Sequence, residues 1–187
     1  MNDPSPGYCG KSALDRLAAL SGCMLLAPLA LGIAAATWLE DGGPPLFRQV
    51  RVGAQRRPFT VLKFRTYSNG RVTHVGGLLR RTGLDELPQF LNVWRGEMSV
   101  VGPRPLTAAD IDRLQWSGLE WRFAMKPGIT GIAQLFGGRD AKHSRRLDRL
   151  YLRRQSLPLD ARLIALSGVV NLLGKRRVRR WLRRFAL

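Results

Sequence analysis

Asp85 and Glu86 are adjacent acids in the run Leu79-Arg80-Arg81-Thr82-Gly83-Leu84-Asp85-Glu86-Leu87-Pro88-Gln89. The residues after them read as a helix, so the pair falls where the positive end of the helix dipole stabilises a carboxylate and favours a bound phosphate. Arg80, just upstream, is placed to keep Asp85 ionised. An ionised aspartate beside a bound diphosphate can attack phosphorus and give an aspartyl-phosphate type intermediate. The plain alternative is a helix cap with an acidic first turn. Arg104 bears on that choice. It stands between Pro103 and Pro105, and a following proline forces an extended backbone, which makes a stiff loop presenting one guanidinium, a group suited to phosphate. Lys63, Arg65, Arg80 and Arg139 add cations on strands and short loops. Cations around an acid pair fit phosphoryl transfer, where catalysis is mostly positioning and charge stabilisation. Mg²⁺ is the natural metal for such a site, held through Asp85 and substrate oxygens.

Short elements must position these groups. Leu46 to Val52 and Pro58 to Tyr67 read as strands around the polar turn Gly53-Ala54-Gln55-Arg56-Arg57. Alternation in the second strand puts Phe59, Val61, Lys63 and Arg65 on one face. A helix is expected with Asp85 as its cap, Pro88 in the first turn and Gly96 at its close. Val101-Gly102-Pro103-Arg104-Pro105 reads as a loop and Lys126-Pro127-Gly128-Ile129-Thr130-Gly131 as a turn. Helices are expected near 107–123, 144–155 and 159–173.

The apolar run from Leu17 to Leu39 carries no charge and is long enough to cross a hydrocarbon core of roughly 30 Å. Three readings compete: a cleaved signal peptide, a single span, and a re-entrant hairpin that enters and leaves on one face. Pro28, in mid-run, kinks or breaks the helix. Basic residues flank the run on both sides, which favours a cytoplasmic C-terminal part and leaves the side of the N-terminus open. Asp41-Gly42-Gly43-Pro44-Pro45 then ends the membrane element.

The chain of 187 residues suits one main domain. Its 31 Lys and Arg against 13 Asp and Glu give +18, so its partners should be anionic: nucleic acid, acidic membrane or phosphorylated small molecules. Cys9 and Cys23 form neither a disulfide framework nor a zinc spacing. From Lys175 to Leu187 there are seven Lys or Arg and no acid, with Trp181, Leu182 and Phe185 at roughly helical spacing. That is the profile of a basic amphipathic helix on anionic lipid, or of a solvated charged tail. A nucleic-acid-binding protein fits the charge but not the apolar run, and recognition motifs and stacking aromatics are missing. A non-catalytic membrane-surface scaffold is the other rival.

The ordered motifs resemble the bacterial sugar transferases, the monotopic phosphoglycosyl transferases. They are Phe47-Arg48-Gln49 with Arg51 and Gly53, Lys63-Phe64-Arg65-Thr66, Leu79-Arg80, and Leu84-Asp85-Glu86-Leu87-Pro88-Gln89. Asn92-Val93, Gly96, Met98-Ser99, the two proline-glycine motifs above, Gln134, Gly138-Arg139, Tyr151 and Asp160 complete the set. The resemblance implies a predominantly helical α+β fold with a re-entrant membrane helix broken at Pro28, a small antiparallel β-hairpin, surface helices and the basic amphipathic tail. The expected segments are residues 1–43 for the membrane helix-break-helix, 44–174 for a cytoplasmic catalytic domain and 175–187 for the tail. By analogy Asp85 attacks the sugar-linked phosphorus of a UDP-sugar, UMP leaves, and polyprenyl (undecaprenyl) phosphate takes the phosphosugar. This is a first step of glycoconjugate or exopolysaccharide synthesis at the bacterial inner membrane. Glu86 would assist through Mg²⁺ or proton handling, and Lys63, Arg65, Arg80, Arg104 and Arg139 would bind phosphate. With no further span before it, the chain resembles the minimal form of the family. It departs from the pattern at Ala27 and Gly83, where serine is usual, and at Tyr67, where methionine is common.

Overall fold

The computed structural model describes residues 7–113, 120–136 and 141–173. Arg139 and the tail 175–187 lie outside the described residues. Helix α1 (Lys11–Asp41) is 31 residues long, about 46 Å at 1.5 Å per residue. Gly42, in the left-handed region at φ 70, closes it by donating its N–H to the Trp38 carbonyl at 2.7 Å. Pro28 lies inside this one hydrogen-bonded element, where the sequence leads one to expect a kink or a break. A proline removes a single ladder bond, and here the helix is held on either side of it.

Both ends of α1 are bound to the same globular body. Near its start, Lys11 Nζ is 2.5 Å from Asp160 Oδ2, and Asp15 accepts hydrogen bonds from Ser99 Oγ at 2.6 Å and the Val100 N–H at 3.1 Å. Ala19 is wholly buried in a cluster with Phe59, Val61, Val93 and Met98. Near its end, Ile33 packs with Phe64 and Leu79. Glu40 there accepts the His74 N–H at 2.5 Å, and Asp41 Oδ2 pairs with Arg65 at 2.5 Å. The outward side leaves Leu17, Met24, Leu25, Leu31 and Leu39 exposed.

Strands β1 (Leu46–Val52) and β2 (Pro58–Phe64) form the expected antiparallel hairpin, in register from Leu46 opposite Phe64 to Val52 opposite Pro58. β2 buries Phe59, Val61, Leu62 and Phe64. A two-residue ribbon, β3 (Tyr67–Ser68) with β4 (Arg71–Val72), leads into α2 (His74–Thr82), capped by the Thr73 side chain. Neither the ribbon nor α2 is anticipated by the motif reading. Gly83 ends α2 at φ 75, and Leu84–Glu86 form a single 3₁₀ turn before α3 (Gln89–Trp94). The expected cap at Asp85 is therefore corrected. The cap positions are Gly83 and Pro88, and Asp85 sits within the intervening turn.

β5 (Ser99–Val101) is followed by α4 (Ala108–Arg113) and α5 (Glu120–Phe123), the described parts of the expected 107–123 helix. β6 (Gly128–Thr130) pairs in parallel with β5, so the supposed loop and turn are neighbours in space. A Cβ on Gly128 would stand 2.1 Å from the Gly102 nitrogen, and one on Gly131 2.2 Å from the Gly102 carbonyl oxygen. Only glycine permits that approach of backbones. α6 (Ile132–Phe136), α7 (Ala141–Arg154) and α8 (Leu157–Leu173) finish the described fold. A further core of Val101, Met125, Ile132, Leu135, Tyr151, Leu163 and Val170 binds α6, α7 and α8 to the β5–β6 pair.

Asn92, fully buried on α3, ties these parts together. Its Oδ1 accepts the Leu62 N–H at 3.0 Å, and its Nδ2 donates to the Thr60 carbonyl and Glu97 Oε2, both at 2.7 Å. Asn92→Ala should cost about 2 kcal/mol, because buried groups on β2 lose their partner. Denaturation of the purified protein in detergent checks the value, and an unchanged midpoint would remove Asn92 from this role.

Candidate functional site

A cavity of about 290 Å³ opens where the hairpin, the 3₁₀ turn, the proline loop and α8 meet. Gly83 and Glu86 line it, so the turn that carries Asp85 forms part of its wall. Lys63 projects from β2 into the same lining, and its Nζ is 2.7 Å from Glu86 Oε1. Both side chains keep partial exposure, 27% and 37%, so they remain open to a ligand. Arg104 lines the cavity from the proline loop, and Arg51 does so from β1. Three cations and Glu86 are thus gathered around one opening, with Asp85 next to Glu86 on the same turn but not itself among the lining residues. That arrangement can take up a multiply charged phosphate ester and hold it against a carboxylate.

The proline loop is built from behind. The Arg104 carbonyl accepts a hydrogen bond from Arg122 Nη2 at 2.7 Å. Arg122 is buried and paired at 3.0 Å with Asp148 of α7, itself buried. Arg51 donates Nη1 to the Pro105 carbonyl at 3.2 Å and lies 3.5 Å from Asp110. Val52 bridges to Leu106 at the loop's far side. Burial lowers the pKa of the Arg51 guanidinium; Asp110 opposes that shift and nearby Arg104 adds to it. An arginine stays charged under such a shift, so the loop and the hairpin present two positive charges to the cavity, one of them partly offset by Asp110.

The sequence reading missed Arg51, Arg122 and Asp148 as supports of this loop. Arg51 belongs to a quoted motif, but nothing in one sequence pairs it with Pro105, 54 positions away. Two other expected site residues lie elsewhere. Alternation predicts Lys63 and Arg65 on one face, yet Lys63 meets Glu86, whereas Arg65 donates to the Pro44 carbonyl at 2.7 Å and grips Asp41. β2 ends at Phe64, so the alternation does not extend to Arg65. Arg80 hydrogen-bonds the Tyr67 hydroxyl, with its guanidinium 5.0 Å from the ring centre, and does not line the cavity. The unusual Tyr67 therefore engages the arginine that was expected to bind phosphate.

No group of three or more His, Cys, Asp or Glu side chains able to hold a metal occurs among the described residues. Asp85 and Glu86 form only a pair. A pair of carboxylates suits Mg²⁺, which takes one or two protein ligands and completes its shell with substrate phosphates and water.

On the far side of the β5–β6 pair a second polar cluster supports the fold. Tyr151 donates its hydroxyl to Asp160 Oδ1 at 2.7 Å, and Tyr8 donates to Asp160 Oδ2 at 3.2 Å. Burial, then the Asp160 charge, pushes the Tyr8 hydroxyl up to about 12 and the Tyr151 hydroxyl higher still. Both stay protonated donors. Tyr151 and Asp160, quoted among the motifs, thus join α7 and α8 to the start of α1.

The sequence profile of the bacterial sugar transferases matches residues 7–174. A UDP-glucose:undecaprenyl-phosphate glucose-1-phosphate transferase of Klebsiella pneumoniae is 41% identical over 174 residues, covering 79% of this chain and 37% of its own. A UDP-N-acetylgalactosamine-undecaprenyl-phosphate N-acetylgalactosaminephosphotransferase of Aeromonas hydrophila is 37% identical over 183 residues, covering 86% of this chain and 43% of its own. This chain therefore spans about two-fifths of the length of those relatives. The exopolysaccharide production protein PSS of Rhizobium leguminosarum bv. phaseoli is 36% identical over 185 residues, with 82% of this chain and 90% of that protein covered. With the match running from the start of the long apolar helix past the last described element, the chain belongs to the bacterial sugar transferase family.

Proposed function

We propose that this protein transfers a sugar 1-phosphate from a UDP-sugar to undecaprenyl phosphate, at the cytoplasmic face of a bacterial inner membrane. The observation that carries the reading is the cavity in which the Asp85–Glu86 turn faces Lys63, Arg51 and Arg104. In the first step a carboxylate oxygen of Asp85 attacks the phosphorus that bears the sugar. The bond from that phosphorus to the bridging oxygen breaks, and its electron pair leaves on UMP. In the second step an oxygen of the lipid phosphate attacks the same phosphorus. The Asp85–phosphorus bond breaks, which restores the carboxylate and gives the polyprenyl diphosphate sugar.

Arg104 and Lys63 hold the diphosphate and offset the charge that develops on it, with Arg51 behind them. Glu86 holds Lys63 in place and, with Asp85, would bind Mg²⁺, which supplies charge neutralisation of the diphosphate. The activities by which the relatives are named support both substrates, a UDP-sugar and undecaprenyl phosphate. A nucleic-acid partner gains no support from the family match.

The position of α1 supports a same-side topology. A straight span would put Lys11 and Asp41 on opposite faces of a core roughly 30 Å thick. Both ends are instead bonded to one body, through Asp160 and Arg65. The helix therefore dips into one leaflet, its exposed leucines among acyl chains and the basic surface towards anionic headgroups. This is the same-side arrangement of a re-entrant helix, although α1 runs through Pro28 as one element.

Three measurements test these proposals. Asp85→Asn should reduce lipid-dependent UMP release to background while the protein stays folded. Unchanged release, or unchanged biological output, would favour a scaffold over an enzyme. Chelation of divalent cations should abolish release and added Mg²⁺ restore it; activity that persists in chelator would exclude the metal. Cys9 is exposed at the start of α1. In a Cys23→Ala background a membrane-impermeant thiol reagent should label it in inverted vesicles and not in intact cells; the reverse pattern would defeat the same-side topology.

A further inference from the structure

The cavity is lined by two kinds of chemistry. The hairpin and the proline loop supply its cations. β6, α6 and α8 supply the neutral hydrogen-bonding residues Thr130, Gln134, Ser167 and Asn171. Most of these are already used within the protein. The hydroxyls of Thr130 and Ser167 bond each other, and the Gln134 amide reaches the Gly102 and Gly128 carbonyls at 3.4 Å. Asn171 differs, for its carboxamide makes no hydrogen bond among the described residues.

Its place is set by an unusual glycine. A Cβ on Gly83 would stand 2.8 Å from Asn171 Nδ2 and 3.0 Å from Oδ1. Gly83 also has φ 75, a conformation that side chains disfavour. The space that a side chain on Gly83 would take is occupied by the Asn171 amide carried on α8. That amide lies against the turn bearing Asp85, two positions from the nucleophile.

We infer that Asn171 determines sugar specificity by hydrogen-bonding a hydroxyl of the donor sugar. This rests on the transferase reading above. The sugar is bonded directly to the phosphorus that Asp85 attacks, whereas the uracil is removed from it by a second phosphate and a ribose. A carboxamide both donates and accepts, as a hydroxyl does. Phosphate oxygens only accept, and the cations already serve them. An amide in this position reads the orientation of one hydroxyl, so it separates sugars that differ at one carbon.

The test is UMP release by the full chain in lipid, with UDP-sugars that are epimers of one another, for wild type, Asn171→Ala and Asn171→Ser. With the preferred donor, kcat/KM should fall about tenfold or more, the worth of one neutral hydrogen bond. The disfavoured epimer should change little, so the discrimination between them shrinks. Inhibition by UMP should stay within about twofold, since UMP lacks the sugar. An equal loss for every donor, an equal loss of UMP affinity, or no change at all would overturn the assignment. Asn171→Ser keeps a small polar group and serves if the alanine variant unfolds. Absence of Asp85-dependent release by the wild type would instead overturn the proposed reaction. The inference is then decided by binding, because the extra thermal stabilisation by a UDP-sugar over UDP must vanish in Asn171→Ala. If that increment persists, Asn171 does not contact the sugar.

Discussion

The fastening of α1 at both ends to a single body is the constraint on which the rest of the structure depends. At one end a lysine and an aspartate of the helix meet Asp160, Ser99 and Val100 in a part-buried polar seam. At the other, Glu40 and Asp41 receive the start of α2 and the side chain of Arg65. Between them Ala19 and Ile33 enter two separate apolar clusters. An apolar helix is thereby held along one side of the domain at both of its ends. It gives the domain one greasy side, with Leu17, Met24, Leu25, Leu31 and Leu39 exposed.

Around that axis the site is assembled from pieces remote in sequence. The hairpin brings Lys63 and Arg51, the short turn after α2 brings Asp85 and Glu86, and the β5–β6 pair fixes the base of the proline loop. The loop is stiff for reasons outside itself. Arg122 and Asp148 hold its carbonyl from a buried pair, and Gly102 and Gly128 let two backbones touch. A buried pair of this kind is destabilised strongly when one member is lost. The position of Arg104 is therefore secured by residues that never reach the cavity.

Cations concentrate around the cavity, and one of them is paired with an acid of the turn. Lys63 engages Glu86 and leaves Asp85 out of that pairing. The two acids thus hold different positions despite adjacency, one tied to a cation of the binding wall and one on the turn beside it.

Much of this was legible from residue order. The uncharged run 17–39, the hairpin around 53–57, the acid pair and the arginine between two prolines could be read directly, because each is a local pattern. The ordered set of motifs carried the family. What residue order could not decide was which distant groups meet. Asp85 reads as a cap, yet Gly83 turns the chain before it and Pro88 opens the helix after it. Arg65 and Arg80 read as phosphate ligands, yet α1 and Tyr67 take them. Arg51, Arg122 and Asp148 acquire their supporting role only through neighbours 18 or more positions away. Local propensity and chemistry are written residue by residue, so the sequence by itself determined the hairpin, the long apolar helix and the adjacent acids, while the β3–β4 ribbon, α2 and the β5–β6 pair were not legible in it. Partner choice depends on packing, which brings together groups whose separation along the chain carries no signal, and only the tertiary structure decided it.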